Sequence, residues 1–532
     1  MQTSFAKLAN WKKLLSCGGL MTSGNKKPIG QAALIEEYGL KVPAPAVRSV
    51  CGPGRRQSVI ENGRSIEKYP MVYGHGNGLA NHLKFSMKYE PTDLGVFSAL
   101  FKTIERKELE EWVRLEHRGI HARRVWFLYE WLTGDTLDVP DLGKRPYVTA
   151  LDEDLHVTAA GGAHSKRHKV IDNLLGSPEF CPTVRKTSAI QAYQNEGLAR
   201  EAQDLISDCD PGTLARAVNF LYTKETKSTF EIEGEQVTPH RAERFVNALR
   251  AADRFDPQSS EDMLALQNAI VDPRYAATGL RNFQNFVGET VGGYREIVHF
   301  VCPKPEDVEG LMKGWGEMTA RLKGMTDPVV AAAVISFGFV FIHPYEDGNG
   351  RIHRFLMHHI LSSQGYTPPS VLFPISAAIV RDRKGYDEAL ESFSRAIKPY
   401  IDFGWGLNKE ITVQNNTGDL YRYFDATKLT EYLYAKVEET VRKDLKDEIN
   451  FIGTYDALLH VIKEMIDMPD RKASLLARLL IQNKGFLSKK GREMFLELTQ
   501  DEISALEDTA SKLLGDVDLD KIFNGSGSLY RP

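Results

Sequence analysis

The chain has 532 residues, of which 42% are hydrophobic and 26% are charged. Ordinary domains have about 100–200 residues, so this length predicts about two to four folded units. The composition is too apolar for a disordered protein and too charged for an integral membrane protein. The formal net charge of −4 provides no overall field that favours nucleic acid or an anionic surface.

The first part of the chain differs in charge from the rest. Residues 1–90 carry 13 Lys and Arg against 5 Glu and no Asp, and they contain many glycines. This pattern predicts a basic, irregular N-terminal arm that lies on a larger body. The five cysteines of the chain are widely spaced and include no CxxC pair, which is typical of a reducing compartment. We therefore expect a cytoplasmic protein.

Helical patterns dominate from residue 91 onward. Residues 91–205 predict a mostly helical N-terminal domain, and residues 409–532 predict a separate C-terminal helical unit. Between them, the apolar residues of 294–302 are bounded by glycine and proline, which predicts a short strand or hairpin. Segment 329–342 has no polar face, which predicts a helix buried in the centre of a domain. Its 14 residues are fewer than the roughly 20 needed to span a bilayer, so we expect a soluble protein without a membrane partner.

The segment after this helix, HPYEDGNGRIHR from His343 to Arg354, has the clearest chemical content. Pro344 disfavours helical geometry at the residue before it, so the buried helix is expected to end at His343. The run from Asp347 to Gly350 can turn successive backbone N–H groups toward one point, because Gly and Asn tolerate positive φ. A second helix begins there, and its N-terminus also favours an anion.

The side chains around this turn fit a polyphosphate ligand. Arg351 and Arg354 are three residues apart on the second helix, so both guanidinium groups can contact one ligand. Asp347 is a suitable ligand for Mg²⁺, and His343 can accept a proton near neutral pH. The segment therefore predicts a polyphosphate site with a general base beside it.

This segment resembles the sequence signature of the Fic family, His-x-Phe-x-(Asp/Glu)-Gly-Asn-Gly-Arg-x-x-Arg, and differs at the aromatic position, where Tyr345 replaces Phe. The resemblance extends over residues 206–405, the expected Fic domain with its inhibitory helix. It implies a mainly α fold, in which a helical Fic core with a small β-hairpin flap is flanked by N-terminal and C-terminal helical extensions. The implied activity uses ATP and Mg²⁺ and transfers AMP to a Tyr, Thr or Ser hydroxyl of a target protein, with self-modification as a further expected reaction.

The resemblance also implies a role for each residue of the motif. His343 would deprotonate the target hydroxyl, and Asp347 would hold Mg²⁺ against the α- and β-phosphates. Arg351 and Arg354 would contact the β- and γ-phosphates, respectively. The three residues between Asp347 and Arg351 would form the anion hole: Gly348, Asn349 and Gly350. A target segment would add as a strand to the flap. Its expected residues are Val298, His299, Phe300, Val301 and Cys302.

An upstream segment resembles the inhibitory pattern of the same family, (Ser/Thr)-x-x-x-Glu-(Gly/Asn). Thr229, Glu233 and Gly234 occupy its specified positions. A spacing of four places Thr229 and Glu233 on one helix face, and glycine commonly ends a helix. For the class with an N-terminal inhibitory helix, the resemblance implies that Glu233 pairs with Arg354 and takes the place of the γ-phosphate.

Other activities stay open from the sequence. Glu233 can instead position water for the removal of AMP, and the motif fixes the phosphates but not the base, so UMP or phosphocholine transfer also fits. The Doc branch transfers a phosphoryl group and has a Lys near the position of Gly350, so this glycine favours AMP transfer. The alternative outside catalysis is a regulator that binds protein or nucleic acid through the two extensions. The lysine clusters of the C-terminal unit are more typical of solvated helix faces, which argues against nucleic acid.

Overall fold

The computed structural model describes residues 27–61, 64–74, 76, 78–292, 295–324, 326–406 and 410–514. Helices prevail in these stretches and the sheets are small, so the predicted mainly α fold is confirmed. The parts of the predicted N-terminal arm and C-terminal unit that fall on residues 1–26 and 515–532 lie outside the described residues. Among the described helices, each is too short or too polar to cross a lipid bilayer.

The helices are numbered along the described chain. The first ten are α1 (Gln31–Glu37), α2 (Leu79–Tyr89), α3 (Leu94–Thr103), α4 (Arg106–Glu116), α5 (Ile120–Thr133), α6 (Ser188–Glu196), α7 (Leu198–Ser207), α8 (Pro211–Ile232), α9 (Pro239–Arg250) and α10 (Ser260–Ile270). The following ones are α11 (Pro305–Leu322), α12 (Pro328–Ile342), α13 (Asn349–Ser363), α14 (Ile375–Arg381), α15 (Arg383–Ile397), α16 (Gly418–Arg422), α17 (Thr427–Glu439), α18 (Lys446–Met465), α19 (Asp470–Gln482), α20 (Lys489–Glu493) and α21 (Gln500–Leu514).

The strands form small sheets in three parts of the chain. Those of the N-terminal part are β1 (Lys27–Pro28), β2 (Val47–Gly52), β3 (Gln57–Glu61) and β4 (Arg64–Pro70). The next ones are β5 (Val148–Thr149), β6 (His156–Val157), β7 (Ala163–Ser165), β8 (Val170–Asp172) and β9 (Val184–Arg185). The last ones are β10 (Phe286–Val291), β11 (Arg295–Val301), β12 (Phe403–Trp405) and β13 (Ile411–Val413). The antiparallel pair β10–β11 confirms the predicted hairpin among helices.

The N-terminal sheet differs from the irregular arm that the sequence predicted for residues 1–90. Its strand order is β1-β2-β4-β3, with β2 and β4 parallel and the two outer strands antiparallel to their neighbours. Helix α1 lies against β2 and α2. The strands are short, and β2 ends at the run Cys51 to Gly54, so the local pattern favoured a loop. Their pairing depends on partners that are distant in sequence, which local propensity does not report.

Separate hydrophobic cores lie along the described chain. One joins helices α1 to α5 with the small sheets that follow them, from Leu34 to Cys181, and also includes Tyr423. The largest core extends from Val157 to Leu445 and includes the helices that carry the motif. These two parts are connected by backbone hydrogen bonds from Cys181 to Arg422, the last residue of α16, and from Thr183 to Phe424.

The structure divides the segment that the sequence predicted as one C-terminal unit, 409–532. Its described residues up to Leu445 pack into the largest core, whereas a further core extends from Phe451 to Leu514. The six-residue π-helical segment Thr440–Leu445 joins α17 directly to α18. A single continuous helix therefore passes from the largest core into the C-terminal one.

Helix α12 forms the centre of the largest core, and the prediction of a buried helix over 329–342 is confirmed. The side chain of Asp327 accepts hydrogen bonds from the first N–H groups, and Pro328 occupies the first helical position. Apart from Val340, all residues from Val329 to Ile342 are buried, and α11, α13 and α17 surround the helix. Its C-terminal end carries the motif, so the site is attached to a helix that is buried along nearly its whole length.

Candidate functional site

The candidate base lies at the end of the central helix. His343 has φ 53, a left-handed conformation, and Pro344 prevents a regular continuation of the helix. The ring atom Nδ1 lies 3.2 Å from the carbonyl oxygen of Val340. A carbonyl can only accept, so Nδ1 carries the proton and donates it, while Nε2 keeps its lone pair. Within the described residues, no hydrogen bond occupies Nε2 of His343.

Burial determines the protonation state of this ring. It lowers the pKa of His343 to about 4, and the positive charge of Arg281 acts in the same direction. The carboxylates of Glu233 and Asp347 act to raise this pKa, but they do not compensate for the burial. The ring is therefore neutral at physiological pH, and Nε2 can accept a proton.

Arg281 holds the backbone of this turn and joins it to the hairpin. Its Nε donates to the His343 carbonyl oxygen at 2.7 Å, and its backbone N–H donates to the Pro344 carbonyl oxygen at 2.9 Å. The other guanidinium nitrogens donate to the carbonyl of Phe283 at 2.8 Å and to the carbonyl of Pro303 at 2.7 Å. Phe283 lies just before β10, and Pro303 lies just after β11. The guanidinium group is planar and rigid, so these bonds fix the turn relative to the hairpin.

The loop from Asp347 to Gly350 is held from two sides. The side-chain amide of Asn349 donates to the Tyr345 carbonyl at 2.8 Å and accepts from the Tyr345 N–H at 3.0 Å. Gln267 of α10, which is completely buried, donates from Nε2 to the Asp347 carbonyl at 3.2 Å. The N-terminus of α13 thus meets a loop of fixed shape, as an anion site requires.

The two glycines of the loop serve different purposes. Gly348 has φ 90, which glycine adopts without strain, and a Cβ atom there would lie 2.8 Å from Cγ1 of Val271. A Cβ atom on Gly350 would lie 2.3 Å from Oε1 of Glu233. Gly348 therefore allows the turn itself, whereas Gly350 leaves room for a carboxylate at the start of α13.

Arg351 is 1% exposed and contacts two carboxylates. Its Nη2 donates to Oδ1 of Asp347 at 2.8 Å, and its Nη1 donates to Oε2 of Glu235 at 3.2 Å. Nη1 also donates to the carbonyl of Ile270 at 3.1 Å. The hydrogen bonds of the Asp347 side chain involve Oδ1, and among the described residues Oδ2 has no partner. Asp347 therefore keeps one carboxylate oxygen for a further ligand.

Arg354 is equally buried and contacts the C-terminal end of α8. Its Nη2 donates to Oε1 of Glu233 at 2.6 Å, and its Nε donates to Oγ1 of Thr229 at 2.6 Å. The hydroxyl of Tyr386 is a further partner of Arg354. Burial alone would raise the pKa of the Glu233 carboxyl, but the charge and hydrogen bond of Arg354, together with the charges of Arg351 and Arg383, outweigh it and the pKa is lowered. The structure therefore contains the contact that the sequence predicted between Glu233, as a carboxylate, and Arg354.

The preceding turn of α8 also contacts α13, through a residue that is again four positions away along α8. Glu225, four residues before Thr229, is completely buried, and its Oε1 lies 2.8 Å from Nε2 of His358. Ser376 donates its N–H to Oε2 of Glu225 at 2.8 Å and its hydroxyl to Oε1. The two helices thus meet through a series of polar pairs, here termed the polar ladder. Its members are Glu225–His358, Thr229–Arg354 and Glu233–Arg354.

The predicted flap residues lie in and directly after β11. His299 is exposed, whereas the other four are buried: Val298, Phe300, Val301 and Cys302. Lys398 and Tyr421 already donate hydrogen bonds to carbonyls of this strand, those of Val298 and Val301. Strand β10 differs, because its side chains are exposed along most of its length and no other described strand pairs with its outer edge. Neither outer edge of the hairpin pairs with another described strand, and the edge of β11 differs in that two of its carbonyls are already bonded to side chains.

Sequence reasoning missed four residues of the site: Arg281, Gln267, Glu235 and Arg241. Arg281 and Gln267 act on backbone carbonyls that are distant in sequence, so no local pattern identifies them. Arg241 of α9 donates from Nη2 to Oε2 of Glu235 at 2.8 Å. Glu235 could have been identified from the sequence, since it is a second acidic residue directly after Glu233 and Gly234.

The sequence matches known proteins of one family. Residues 257–361 match the family model described as Fic/DOC family. A protein adenylyltransferase Fic from Nematostella vectensis is 34% identical over 118 residues, which are 21% of this chain and 26% of that protein. One from Culex quinquefasciatus is 28% identical over 202 residues, which are 35% of this chain and 36% of that protein. The matches thus span about a quarter to a third of these relatives.

Solved structures give a weaker likeness. A Fic family protein from Desulfovibrio desulfuricans G20 is 17% identical, with a TM-score of 0.33. The matched region covers 64% of this chain and 87% of that one.

Proposed function

Because this chain is a Fic family protein, whose residues 257–361 match the family model, we propose that it transfers AMP from ATP to a hydroxyl group of a target protein. The observation that carries the proposal is the neutral ring of His343, whose free Nε2 lies at the end of α12 beside the N-terminus of α13. A base next to an anion site suits the attack of a hydroxyl on a phosphate. The names of the curated relatives support the same activity.

The proposed reaction begins with the hydroxyl proton of the target, which passes to Nε2 of His343. The target oxygen forms a bond to the α-phosphorus of ATP, and the bond from that phosphorus to the bridging oxygen of the β-phosphate breaks. Pyrophosphate leaves, and AMP stays on the target. The bond from Nδ1 to the Val340 carbonyl stabilises the imidazolium that forms, because a donor remains directed at an acceptor.

The loop before α13 supplies the anion hole in this proposal. The backbone N–H groups of Asn349 and Gly350 contact the phosphates, and the N-terminus of α13 adds its partial positive charge. The N–H group of Gly348 donates to Oδ1 of Asp347 at 2.6 Å, so Gly348 contributes the shape of the turn. The side chain of Asn349 already bonds to both backbone groups of Tyr345, so its contribution to the anion hole comes from the backbone. Arg351 and Arg354 contact the β- and γ-phosphates, where they stabilise the charge of the departing pyrophosphate.

Asp347 fits the role of a Mg²⁺ ligand. One carboxylate oxygen is bound to Arg351 and the other has no partner among the described residues, while phosphates and water complete such sites. The ion would neutralise charge on the α- and β-phosphates when bound. Arg351 keeps the Asp347 side chain in one orientation, and this is the contribution of the protein.

The hairpin β10–β11 is the proposed docking site for the target, which adds to it as a strand. The outer edge of β10 offers backbone groups to a further strand, whereas carbonyls of β11 are already bonded to side chains. Arg281 connects this hairpin to the backbone of His343, so a docked strand has a defined distance to the base. A Tyr, Thr or Ser of the target, or of the chain itself, supplies the hydroxyl.

Glu233 is the proposed inhibitory residue, with Thr229 and Gly234 completing the pattern. Its carboxylate occupies Arg354 and lies beside Gly350, so the γ-phosphate of ATP has to compete with it. This proposal assigns the chain to the class with an N-terminal inhibitory helix, which is α8.

The cysteines bear on the proposed location of the protein. Four of them are described, and all four are free thiols: Cys51, Cys181, Cys209 and Cys302. Free thiols are typical of a reducing compartment, so we propose the cytoplasm as the location.

The test uses ATP labelled on either the α- or the γ-phosphate, with Mg²⁺, with the purified chain alone and with a cell lysate. Label from the α-position, together with a mass increase of one AMP group, supports the proposal. His343→Ala should lower the transfer by at least about 10²-fold and keep ATP binding. His460→Ala, which changes an exposed histidine of α18, should have no effect. Protein-bound label from the γ-position would instead identify a phosphoryl transferase, and unchanged transfer by His343→Ala would place the base elsewhere.

A further inference from the structure

The turn after α8 carries a second acidic residue that reaches the site. Glu235 follows Glu233 after Gly234, whose φ of 72 is left-handed. The two carboxylates contact different arginines of the motif, since Glu233 bonds to Arg354 and Glu235 bonds to Arg351. The turn therefore occupies both arginines to which the proposed function assigns the β- and γ-phosphates.

Glu235 is shared by two guanidinium groups. Its Oε2 accepts from Nη1 of Arg351 at 3.2 Å and from Nη2 of Arg241 at 2.8 Å. The same two nitrogens donate to the carbonyl of Ile270, at 3.1 Å and 3.0 Å. Arg241 and Arg351 thus converge on one point, and the Ile270 carbonyl at the end of α10 holds both of them there. A carboxylate oxygen lies at this point in the structure.

The donors of this arginine pair exceed the acceptors that surround them. Both guanidinium groups lie over the ring of Phe230, with distances to its centroid of 4.9 Å for Arg241 and 5.4 Å for Arg351. The Nε atoms of both arginines are buried and have no acceptor among the described residues. Buried donors without acceptors are costly, so the pair favours a ligand that offers more oxygen atoms than one carboxylate.

We propose that Arg241 and Arg351 form a phosphate subsite in which Glu235 substitutes for a phosphate oxygen. The inference rests on the proposed function, because its ligand is the polyphosphate of ATP. When ATP binds, Glu235 leaves together with Glu233, and a phosphate oxygen takes the place of its Oε2. Arg241 stays, since Ile270 holds it, and becomes a third guanidinium group on the nucleotide. Phosphate oxygens accept from guanidinium groups as carboxylates do and carry more charge.

The experiment measures nucleotide affinity by calorimetry in the full chain that carries Glu233→Gly, so that competition by Glu233 is removed. Addition of Glu235→Gln should strengthen ATP binding about tenfold, because one charged competitor is lost. Further addition of Arg241→Ala should weaken ATP binding about tenfold and leave AMP binding unchanged, since AMP lacks the β- and γ-phosphates. Arg241→Lys in its place should recover part of the ATP affinity, because it restores the charge.

Two substitutions serve as matched controls. Glu231→Gln changes an exposed carboxylate of the same turn, and Arg244→Ala changes the next arginine of α9, which contacts a carbonyl of α10. Both should leave ATP affinity unchanged.

The outcomes separate this inference from the proposed function. ATP affinity that is insensitive to Glu235→Gln and Arg241→Ala, in a chain that binds ATP, overturns the subsite and leaves AMP transfer standing. Equal weakening of ATP and AMP by Arg241→Ala also overturns it, because a purely structural residue acts on both ligands. A failure of every variant to bind ATP overturns the subsite together with the proposed function.

Discussion

The polar ladder between α8 and α13 has one end inside the core and one end at the proposed nucleotide site, and the two ends differ in their contacts. Glu225 is completely buried, and both of its oxygens are bonded, to His358 and Ser376. The side chain of Glu233 is 32% exposed, and its bond to Arg354 involves one oxygen. The inner contact is therefore part of the folded core, whereas the outer contact can be replaced by a ligand.

This difference follows from what replaces each contact when it breaks. Loss of the inner contact leaves buried polar groups without partners, which costs far more than the contact itself is worth in water. At the outer end, water reaches Glu233 and a phosphate can take its place on Arg354. The helix can thus stay in its position while its last turn exchanges with a ligand.

The inner end should control stability. Glu225→Ala leaves the buried His358 and Ser376 without a shared acceptor and opens a cavity, so we expect the free energy of unfolding to fall by about 3 kcal/mol or more. Denaturant unfolding, followed by tryptophan fluorescence, measures this change. The matched control is Glu231→Ala, on the exposed side of the same helix, which should change stability by less than about 0.5 kcal/mol. Similar values for both variants would contradict a structural role of the inner end.

The outer end should control activity. Glu233→Gly removes the carboxylate that competes for Arg354, so self-modification and target transfer should both rise by about tenfold or more. Stability should change much less than in Glu225→Ala. The measurement is the rate of AMP incorporation at a fixed ATP concentration. Arg354→Ala is the informative partner variant, since it also breaks the pair but should not activate, because it removes the phosphate contact. A Glu233→Gly variant no more active than the parent would remove the inhibitory role.

The Asp347→Ala variant tests whether Mg²⁺ takes part in ATP binding at the outer end of the polar ladder. Asp347→Ala should abolish the strengthening of ATP binding by Mg²⁺, because it removes the one carboxylate assigned to the ion. Calorimetric titrations of ATP with and without Mg²⁺, in the Glu233→Gly background, measure this difference. Glu346→Ala is the control, since it changes the neighbouring exposed carboxylate. The metal role is wrong if Mg²⁺ strengthens ATP binding equally in the presence and absence of the Asp347 side chain.

The elements that the sequence predicted correctly have local causes. The apolar run of 329–342 specifies a buried helix, and Pro344 with Gly348 specifies the turn that ends it. The contact of Glu233 with Arg354 could also be predicted, because a family pattern pointed to it. The helix and its turn depend on residues that lie within about one or two helical turns of each other. Glu233 and Arg354 are 121 residues apart, so only the family pattern connected them.

The remaining features depend on partners that the fold brings together. The parallel pairing of β2 with β4 has no local signal, and the glycines near these strands favoured a loop. Arg281 and Gln267 bind backbone carbonyls of the motif, and every residue type offers the same carbonyl. Arg241 lies on an ordinary amphipathic helix, so its convergence with Arg351 becomes visible only in three dimensions.

The smallest expected effect is on the pH dependence of stability. Burial lowers the pKa of His343 to about 4, whereas an unfolded histidine titrates near 6.5. Above pH 6.5 both states are neutral; as the pH falls below it, the unfolded chain binds the proton first, so the folded state loses stability until about pH 4. His343→Asn removes this contribution. Between pH 7 and 5 the free energy of unfolding should therefore fall by about 1 kcal/mol more in the parent than in the variant. This value is smaller than the full effect of the pKa difference, because the ring is partly exposed to solvent. Denaturant unfolding of both proteins at the two pH values measures the difference, and an equal loss in both would show that His343 is not held neutral by the fold.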